Sequence, residues 1–331
     1  MIATRRPKGM TLLDLMVLIF VLGVLMALGL PALTSNCRGA RRVQCGNNLK
    51  NLAIGLQGYA MAHGTLVPGR SDPLPAPDQL PLDPFSGGRG TPWLPPILAY
   101  IDQQDAANAY NFDLGAEGPS SAGLLANAAV TSTRIGVLSC PDDRGQSTDG
   151  YRPPIPDAPA LTRGNYAVNW GQTDWGQTGH FPRAPFGHGG GVRLQDVTDG
   201  LSTTIFLSEI LQGAEPGDAR GVPWLSLPGS SSYMARHTPH HGGLDGQEVP
   251  AGDRGDSLPV GTCSDRPDAP CSAWPRRTPS LASNSARSQH RDGIYVSPGD
   301  GSVRFLTHAI DPRVWSALHS IAGGEALGAD W

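Results

Sequence analysis

Between Leu12 and Leu33 the chain carries a single ionisable residue, Asp14, and Arg5, Arg6 and Lys8 stand just ahead of it. Counted from Met10, the roughly two dozen residues make a helix long enough to cross a hydrocarbon core of about 30 Å. A transmembrane helix is therefore expected over residues 10–33. A secretion signal competes with this expectation, because it also sets a basic start before an apolar run. Its apolar part is shorter, about 7–15 residues, and ends at a small-residue cleavage site. Ala32-Leu33-Thr34-Ser35 meets that pattern only weakly.

The near side of the run is more specific. A lone carboxylate at the edge of a membrane helix costs a few kcal/mol unless it stays at the interface or finds a partner. Gly9-Met10-Thr11-Leu12-Leu13-Asp14, behind a basic leader, resembles the cleavage and methylation signal of type IV prepilins and type II secretion pseudopilins. The resemblance implies a leader at 1–9, cut by a prepilin peptidase after Gly9, and N-methylation of Met10. It also implies an assembly role for Asp14, which would pair with a neighbouring subunit's terminal amine. Met10 and Asp14 stand where that family usually has Phe and Glu. Pro31 falls where such pilins commonly carry a helix-kinking proline, and an interior proline removes one helical hydrogen bond.

The rest of the helix is expected to continue as an amphipathic segment over 34–63, with Val43, Leu49, Leu52, Ala53 and Leu56 at helical spacing. Its end is expected near His63-Gly64. Beyond it, 64–331 reads as an extracytoplasmic, β-rich domain. Asn165–Gly171 alternates as a half-buried strand, Ile135–Asp142 reads as a strand entering a turn, and Ile205–Glu209 follows the Asp199-Gly200 turn as another. Gly293–Ser297 and Ser302–Leu306 flank Pro298-Gly299-Asp300-Gly301 as a hairpin. Trp315–Ala322 is expected as a short helix stopped by Gly323-Gly324. The 43 glycines and 31 prolines concentrate in 66–96 and 212–287, which are expected to be irregular.

A net charge of -4 argues against a nucleic-acid protein, which would display a basic face. Among the five cysteines there is no Cys-x-x-Cys pair, leaving zinc-ribbon and thioredoxin-like patterns unsupported. Cys263 and Cys271 bracket a short loop and form one candidate disulfide for an oxidising compartment. Cys45 and Cys140 form a second candidate, with Cys37 left over.

A further resemblance spans nearly the whole body. Asn47-Asn48-Leu49-Lys50, Cys140-Pro141-Asp142, Asn165-Tyr166, Asp196–Thr204, and His290 followed after nine residues by Asp300-Gly301 are similar to the prepilin-like family called domain-of-unknown-function family 1559. In that family His, nine residues, Asp-Gly is a C-terminal signature, carried here by His290, Asp300 and Gly301.

Evidence for catalysis or a metal is thin. His237, His240 and His241, with His180 and His188, sit among Pro and Gly and have no carboxylate at a ligand spacing. His290 with Asp300 suggests acid–base chemistry, and the bland alternative is a histidine that supports a hairpin. Asp199, Asp300 and Asp311 offer oxygens of the kind calcium prefers, in no recognisable calcium-loop spacing. No cofactor is expected.

These observations lead to an α+β, pilin-like fold in which the long N-terminal helix, transmembrane and then amphipathic, packs on an antiparallel sheet with long Gly/Pro-rich insertions. The expected function is structural rather than enzymatic: a pseudopilin-like subunit in or at the tip of a type II secretion or type IV pilus-like filament. Its expected partners are the prepilin peptidase and other pilin-like subunits. Its expected place is the inner membrane, single-pass, with the N-terminus cytoplasmic and the body periplasmic. The alternative is a membrane-anchored binding or surface module that does not polymerise.

Overall fold

A computed structural model describes residues 11–72, 90–115, 122–143, 150–172, 184–227, 229–239, 256–259, 263–264, 269–274 and 282–325, and the backbone alone at 25, 27–38, 259, 273 and 274. The chain divides into a first unit ending at Val43 and a second, Gln44–Trp331. Gly9 and Met10 lie outside the described residues.

Helix α1, Leu12–His63, runs for 52 residues. Thr11 and Asp14 open it as a reciprocal cap: the Thr11 N–H and hydroxyl donate to Asp14 Oδ2 at 3.0 and 2.8 Å, and the Asp14 N–H donates to Thr11 Oγ1 at 3.3 Å. This is the capping-box logic, with Asp in place of the usual Glu or Gln. Gly64, at φ +76°, closes the helix in the left-handed conformation that a side chain would disfavour.

The transmembrane expectation requires correction. No helix among the described residues is long and apolar enough to cross a membrane. The outer part of α1, residues 39–63, includes Arg41, Arg42, Gln44, Asn47, Asn48, Lys50, Asn51 and Gln57 and is too polar to span one. In that part, Leu49, Leu52, Ala53 and Leu56 are buried as their spacing predicts, whereas Val43 is exposed.

The main sheet has the order β3-β1-β2-β6-β7, built from Ser232–Tyr233, Tyr166–Asn169, Ile205–Glu209, Gly293–Pro298 and Arg304–Thr307. It is mixed rather than antiparallel: β1–β2, β2–β6 and β6–β7 are antiparallel, but β1 pairs with β3 in parallel. A parallel neighbour requires a long crossover, and residues 210–231 supply one between β2 and β3. A separate two-stranded sheet, β4 (Asp256–Pro259) with β5 (Cys271–Trp274), is also parallel. These three strands lie in the stretch expected to be irregular. Ile135–Leu138, expected as a strand, instead makes a 3₁₀ turn over Gly136–Leu138.

Strands β1 and β2 are buried along their whole length, not half-buried, because both faces of the sheet are covered. Tyr166, Val168 and Leu207 join a core with Leu49, Leu52 and Leu56 of α1. Ala167, Ile205, Ile294 and Val296 face the other way, onto Trp315 and Leu318 at the C-terminal helix α6, Pro312–Ala317. Gly46 lets α1 approach the sheet: a Cβ there would stand 3.2 Å from the Tyr295 ring. Each fully buried leucine contributes about 1.5–3 kcal/mol. The buried Trp93, Trp224 and Trp315 all satisfy their indole N–H, on Ser231 O, Thr162 Oγ1 and His237 O at 2.8, 2.8 and 2.9 Å.

Four short helices complete the described body: α2 (Leu94–Ile97), α3 (Gln104–Ala109), α4 (Ala122–Ala126) and α5 (Ala128–Thr131). Arg220 organises the insertion that carries β4 and β5. Its guanidinium donates to Asp218 Oδ2 at 2.7 Å and Asp256 Oδ2 at 2.8 Å, and also reaches the carbonyls of Ser264 and Ala269 at 2.7 and 2.8 Å. Buried charges survive only with such partners.

Candidate functional site

Strand β2 carries no charge until its last residue, Glu209, which is 1% exposed. Its Oε2 accepts the Tyr295 N–H at 2.7 Å, so β6 fixes the carboxylate and turns Oε1 toward His290 Nε2, 3.1 Å away. The other ring nitrogen, Nδ1, lies 2.9 Å from Asp142 Oδ2. A neutral imidazole has one N–H to donate, whereas a protonated one has two. Two carboxylates on opposite nitrogens therefore select the imidazolium. Burial pushes the His290 pKa down, but the hydrogen bond and charge of Glu209, aided by Asp142, outweigh it and raise the pKa above the usual histidine value.

Against this triad lies a disulfide. Cys45, on α1, is bonded to Cys140, with their Cα atoms 4.8 Å apart, and Cys140 Sγ is 3.9 Å from His290 Nε2. The surroundings are held from several sides. Tyr166 donates its hydroxyl to Cys45 O at 2.9 Å, and Asn48 Nδ2 donates to Ser139 O at 2.8 Å. Asn165 Oδ1 accepts the Cys140 N–H at 2.9 Å, while its amide donates to Asp143 Oδ2 at 2.5 Å. Donor atoms of Cys45, Cys140, Glu209 and His290 all lie within 4.8 Å of one another.

Asn48, Cys140, Asp142, Asn165, Tyr166 and His290, taken from four separate motifs of the sequence, thus meet at one place. Residues 37–313 match the model of the family SBP_bac_10, described as a protein of unknown function (DUF1559). The chain belongs to the DUF1559 family. No curated protein and no solved structure matches it.

In this DUF1559 chain, His290 and Asp300 are not brought together as an acid–base pair. Asp300 instead accepts from the Ser302 N–H and hydroxyl at 2.8 and 2.7 Å. Gly301 takes φ +76° at the tip of the hairpin, and its carbonyl receives Lys50 Nζ at 2.6 Å. A Cβ at Gly301 would stand 2.8 Å from Gln57 Nε2, which places the turn hard against α1. His290 thus bridges carboxylates, and Asp300-Gly301 shapes a turn that docks on the helix.

The three aspartates considered for calcium occupy separate places. Asp199 binds the tail, accepting from Ser320 Oγ and the Gly323 N–H, each at 2.7 Å, and from the Gly324 N–H at 2.9 Å. Asp311 caps α6 through the Arg313 N–H at 2.7 Å. Of the histidine cluster, His180, His240 and His241 lie outside the described residues. His237 accepts from Trp315 through its carbonyl, and His188 packs edge-on to Trp170 at 5.1 Å. Cys263 is bonded to Cys271. The backbone of α1 continues helical through Pro31.

Asp142 and Glu209 carry the site, yet neither stood out as a functional residue in the sequence. The available signal for Glu209 was a charge ending an otherwise uncharged strand, Ile205-Phe206-Leu207-Ser208.

Proposed function

We propose that the chain is an extracytoplasmic, prepilin-like structural subunit, processed after Gly9 and N-methylated at Met10, whose N-terminal helix associates with helices of like subunits. The observation that carries this reading is the first part of α1. Leu12, Met16, Ile19 and Phe20 are 78, 65, 61 and 71% exposed, directly behind the Gly9-Met10 junction. Exposed apolar stripes of this size mark association surfaces. The two disulfides support an oxidising, extracytoplasmic setting. The body then serves as a cross-braced module presented by the helix, with the His290 site as an internal strut and no catalytic role.

A second reading, a surface or binding module that does not polymerise, is favoured by one observation: the Asp14 carboxylate already has a local partner in Thr11. An acid so engaged has less need of a neighbour's amine.

The test is the mass of the N-terminal peptide of the native protein, followed by cross-linking in cells through single cysteines placed at Met16 or Phe20. A chain starting at N-methylated Met10, with cross-linked ladders, is the expected result. An intact Met1, or a start near Ser35, would end the prepilin reading. A processed N-terminus without ladders would favour the non-polymerising module.

A further inference from the structure

We propose that, when the Cys45–Cys140 disulfide is reduced, the chain holds a zinc ion at Cys45 Sγ, Cys140 Sγ, His290 Nε2 and Glu209 Oε1. Two sulfurs, an imidazole nitrogen and a carboxylate oxygen form a donor set that suits four-coordinate Zn²⁺. Tetrahedral coordination with the usual bond lengths places donor atoms about 3.3–3.8 Å apart. The four donors here already lie within 4.8 Å of one another. His290 Nε2 is 3.9 Å from Cys140 Sγ and 3.1 Å from Glu209 Oε1, so the site forms by opening the two sulfurs and drawing the more distant donors together by up to about 1 Å.

An independent feature points the same way. Zinc-bound histidines almost always donate their other ring N–H to a carboxylate or carbonyl, which orients the ring and raises its basicity. His290 has that arrangement, with Nδ1 2.9 Å from Asp142 Oδ2. Glu209 is oriented as well, its non-ligating oxygen held by the Tyr295 N–H at 2.7 Å. The four ligand residues are buried, so the ion would sit away from bulk water, as in a closed structural site.

The chemistry balances. A dithiol reductant delivers two electrons and two protons to the S–S bond, giving two protein thiols and the reductant's own disulfide. Zinc then displaces three protons, one from each thiol and one from His290 Nε2, and the proton on His290 Nδ1 stays on the ring, donated to the Asp142 carboxylate. The two closures of the site exclude each other: oxidation to the disulfide expels the ion, and reduction admits it. In either state Cys45 on α1 is tied to Cys140, so the helix stays clamped to the body.

Because Cys45 and Cys140 are buried, loading is best done by refolding the full chain in a dithiol reductant without oxygen, with Co²⁺ as a spectroscopic stand-in for Zn²⁺. The oxidised chain and the variants Cys263→Ser/Cys271→Ser, His290→Gln and Asp142→Asn are run in parallel. One Co²⁺ per reduced chain is expected, with the visible bands of a tetrahedral thiolate site, and none for the oxidised chain. The Cys263→Ser/Cys271→Ser variant keeps the site. His290→Gln loses it, and Asp142→Asn weakens it about 10–100-fold. No uptake by the reduced chain, folded or unfolded, overturns the proposal. So does uptake that follows Cys263 and Cys271, or that is unchanged in both His290→Gln and Asp142→Asn.

Discussion

His290 and Glu209, 81 residues apart in the chain, meet with Nε2 3.1 Å from Oε1 inside the body. Their side chains are 2 and 1% exposed. Removing the ring while leaving the carboxylate in place buries an uncompensated charge, which typically costs about 3–5 kcal/mol. His290→Ala is expected to lower the unfolding free energy from urea titration by an amount of that order, read as a fall in the midpoint. The double variant His290→Ala/Glu209→Gln should recover part of the loss, because the fully buried Glu209 charge is then gone and the charge left behind is that of Asp142, whose side chain is 15% exposed. A single variant as stable as the parent would show that the pair contributes nothing.

The two disulfides differ in what they constrain. Cys45–Cys140 closes a sequence separation of 95 residues and Cys263–Cys271 one of 8. On the chain-entropy account these contribute about 4.5 and about 2.5 kcal/mol respectively. Cys140→Ser should therefore lower the thermal midpoint clearly more than Cys271→Ser in calorimetry of the oxidised chain. Equal losses would locate the effect in native-state packing instead.

Arg220 bridges two buried acids at once, its side chain and that of Asp218 being 2 and 0% exposed, while Asp218 also accepts from Ser264 Oγ at 2.8 Å and Asp256 also lies 3.4 Å from Arg287 Nη2. Arg220→Met keeps volume but removes the guanidinium between Asp218 and Asp256, leaving Asp218 with Ser264 and Asp256 with Arg287 and the Ser285 N–H, and is expected to destabilise by about 3 kcal/mol. Adding Asp218→Asn should offset some of that loss. The readout is protease susceptibility of the β4–β5 insertion beside the global unfolding midpoint. An insertion no more sensitive than in the parent would remove Arg220 from its role.

His319 gives the chain an acid limit. Its Nδ1–H donates to Trp315 O at 2.6 Å, and its Nε2, 2.9 Å away, accepts from the Tyr233 hydroxyl. Burial holds its pKa down at about 3, against a minor opposing effect of the Trp315 carbonyl. The unfolded chain takes up a proton on this ring below about pH 6.5, and the folded chain does not until about pH 3. Stability should thus fall as pH drops through that window, by at most about 1.4 kcal/mol per pH unit from this group. His188, also held at about 3 by burial and by Arg70, adds in the same direction. His319→Gln should flatten the acid limb of stability against pH, and an unchanged slope would contradict the assignment.

Asp14→Ala removes the acceptor of both Thr11 hydrogen bonds. It is expected to leave cleavage after Gly9 intact while reducing cross-linked oligomers. If the cross-linked ladder is unchanged, Asp14 does no more than cap its own helix.

Much of the local structure was legible in the sequence. The hairpin of β6 and β7 around Asp300-Gly301, the strand Ile205–Glu209, the buried row Leu49, Leu52, Ala53 and Leu56, and the stop at Gly64 all arise from periodicity and turn chemistry acting over a few residues. The candidate pairings of Cys263 with Cys271 and Cys45 with Cys140 could be listed, but nothing in the residues alone chose them. The rest depended on contacts between distant segments. That Asp142 and Glu209, rather than Asp300, face His290 is set by separations of 148 and 81 residues. The parallel entry of β3 beside β1, and of β5 beside β4, follows crossovers that carry no period of their own. Arg220 looks like a solvated cation in a Gly- and Pro-rich stretch, yet it is buried because two acids and two carbonyls converge on it. The sequence by itself determined the outer part of α1, β1, β2 and the β6–β7 hairpin, whose periodicity and turn chemistry act locally, but not β3, β4 and β5 or the 3₁₀ turn at Gly136–Leu138. Only the tertiary structure decided which polar groups are buried together, because a buried charge is stable only once all its partners have arrived.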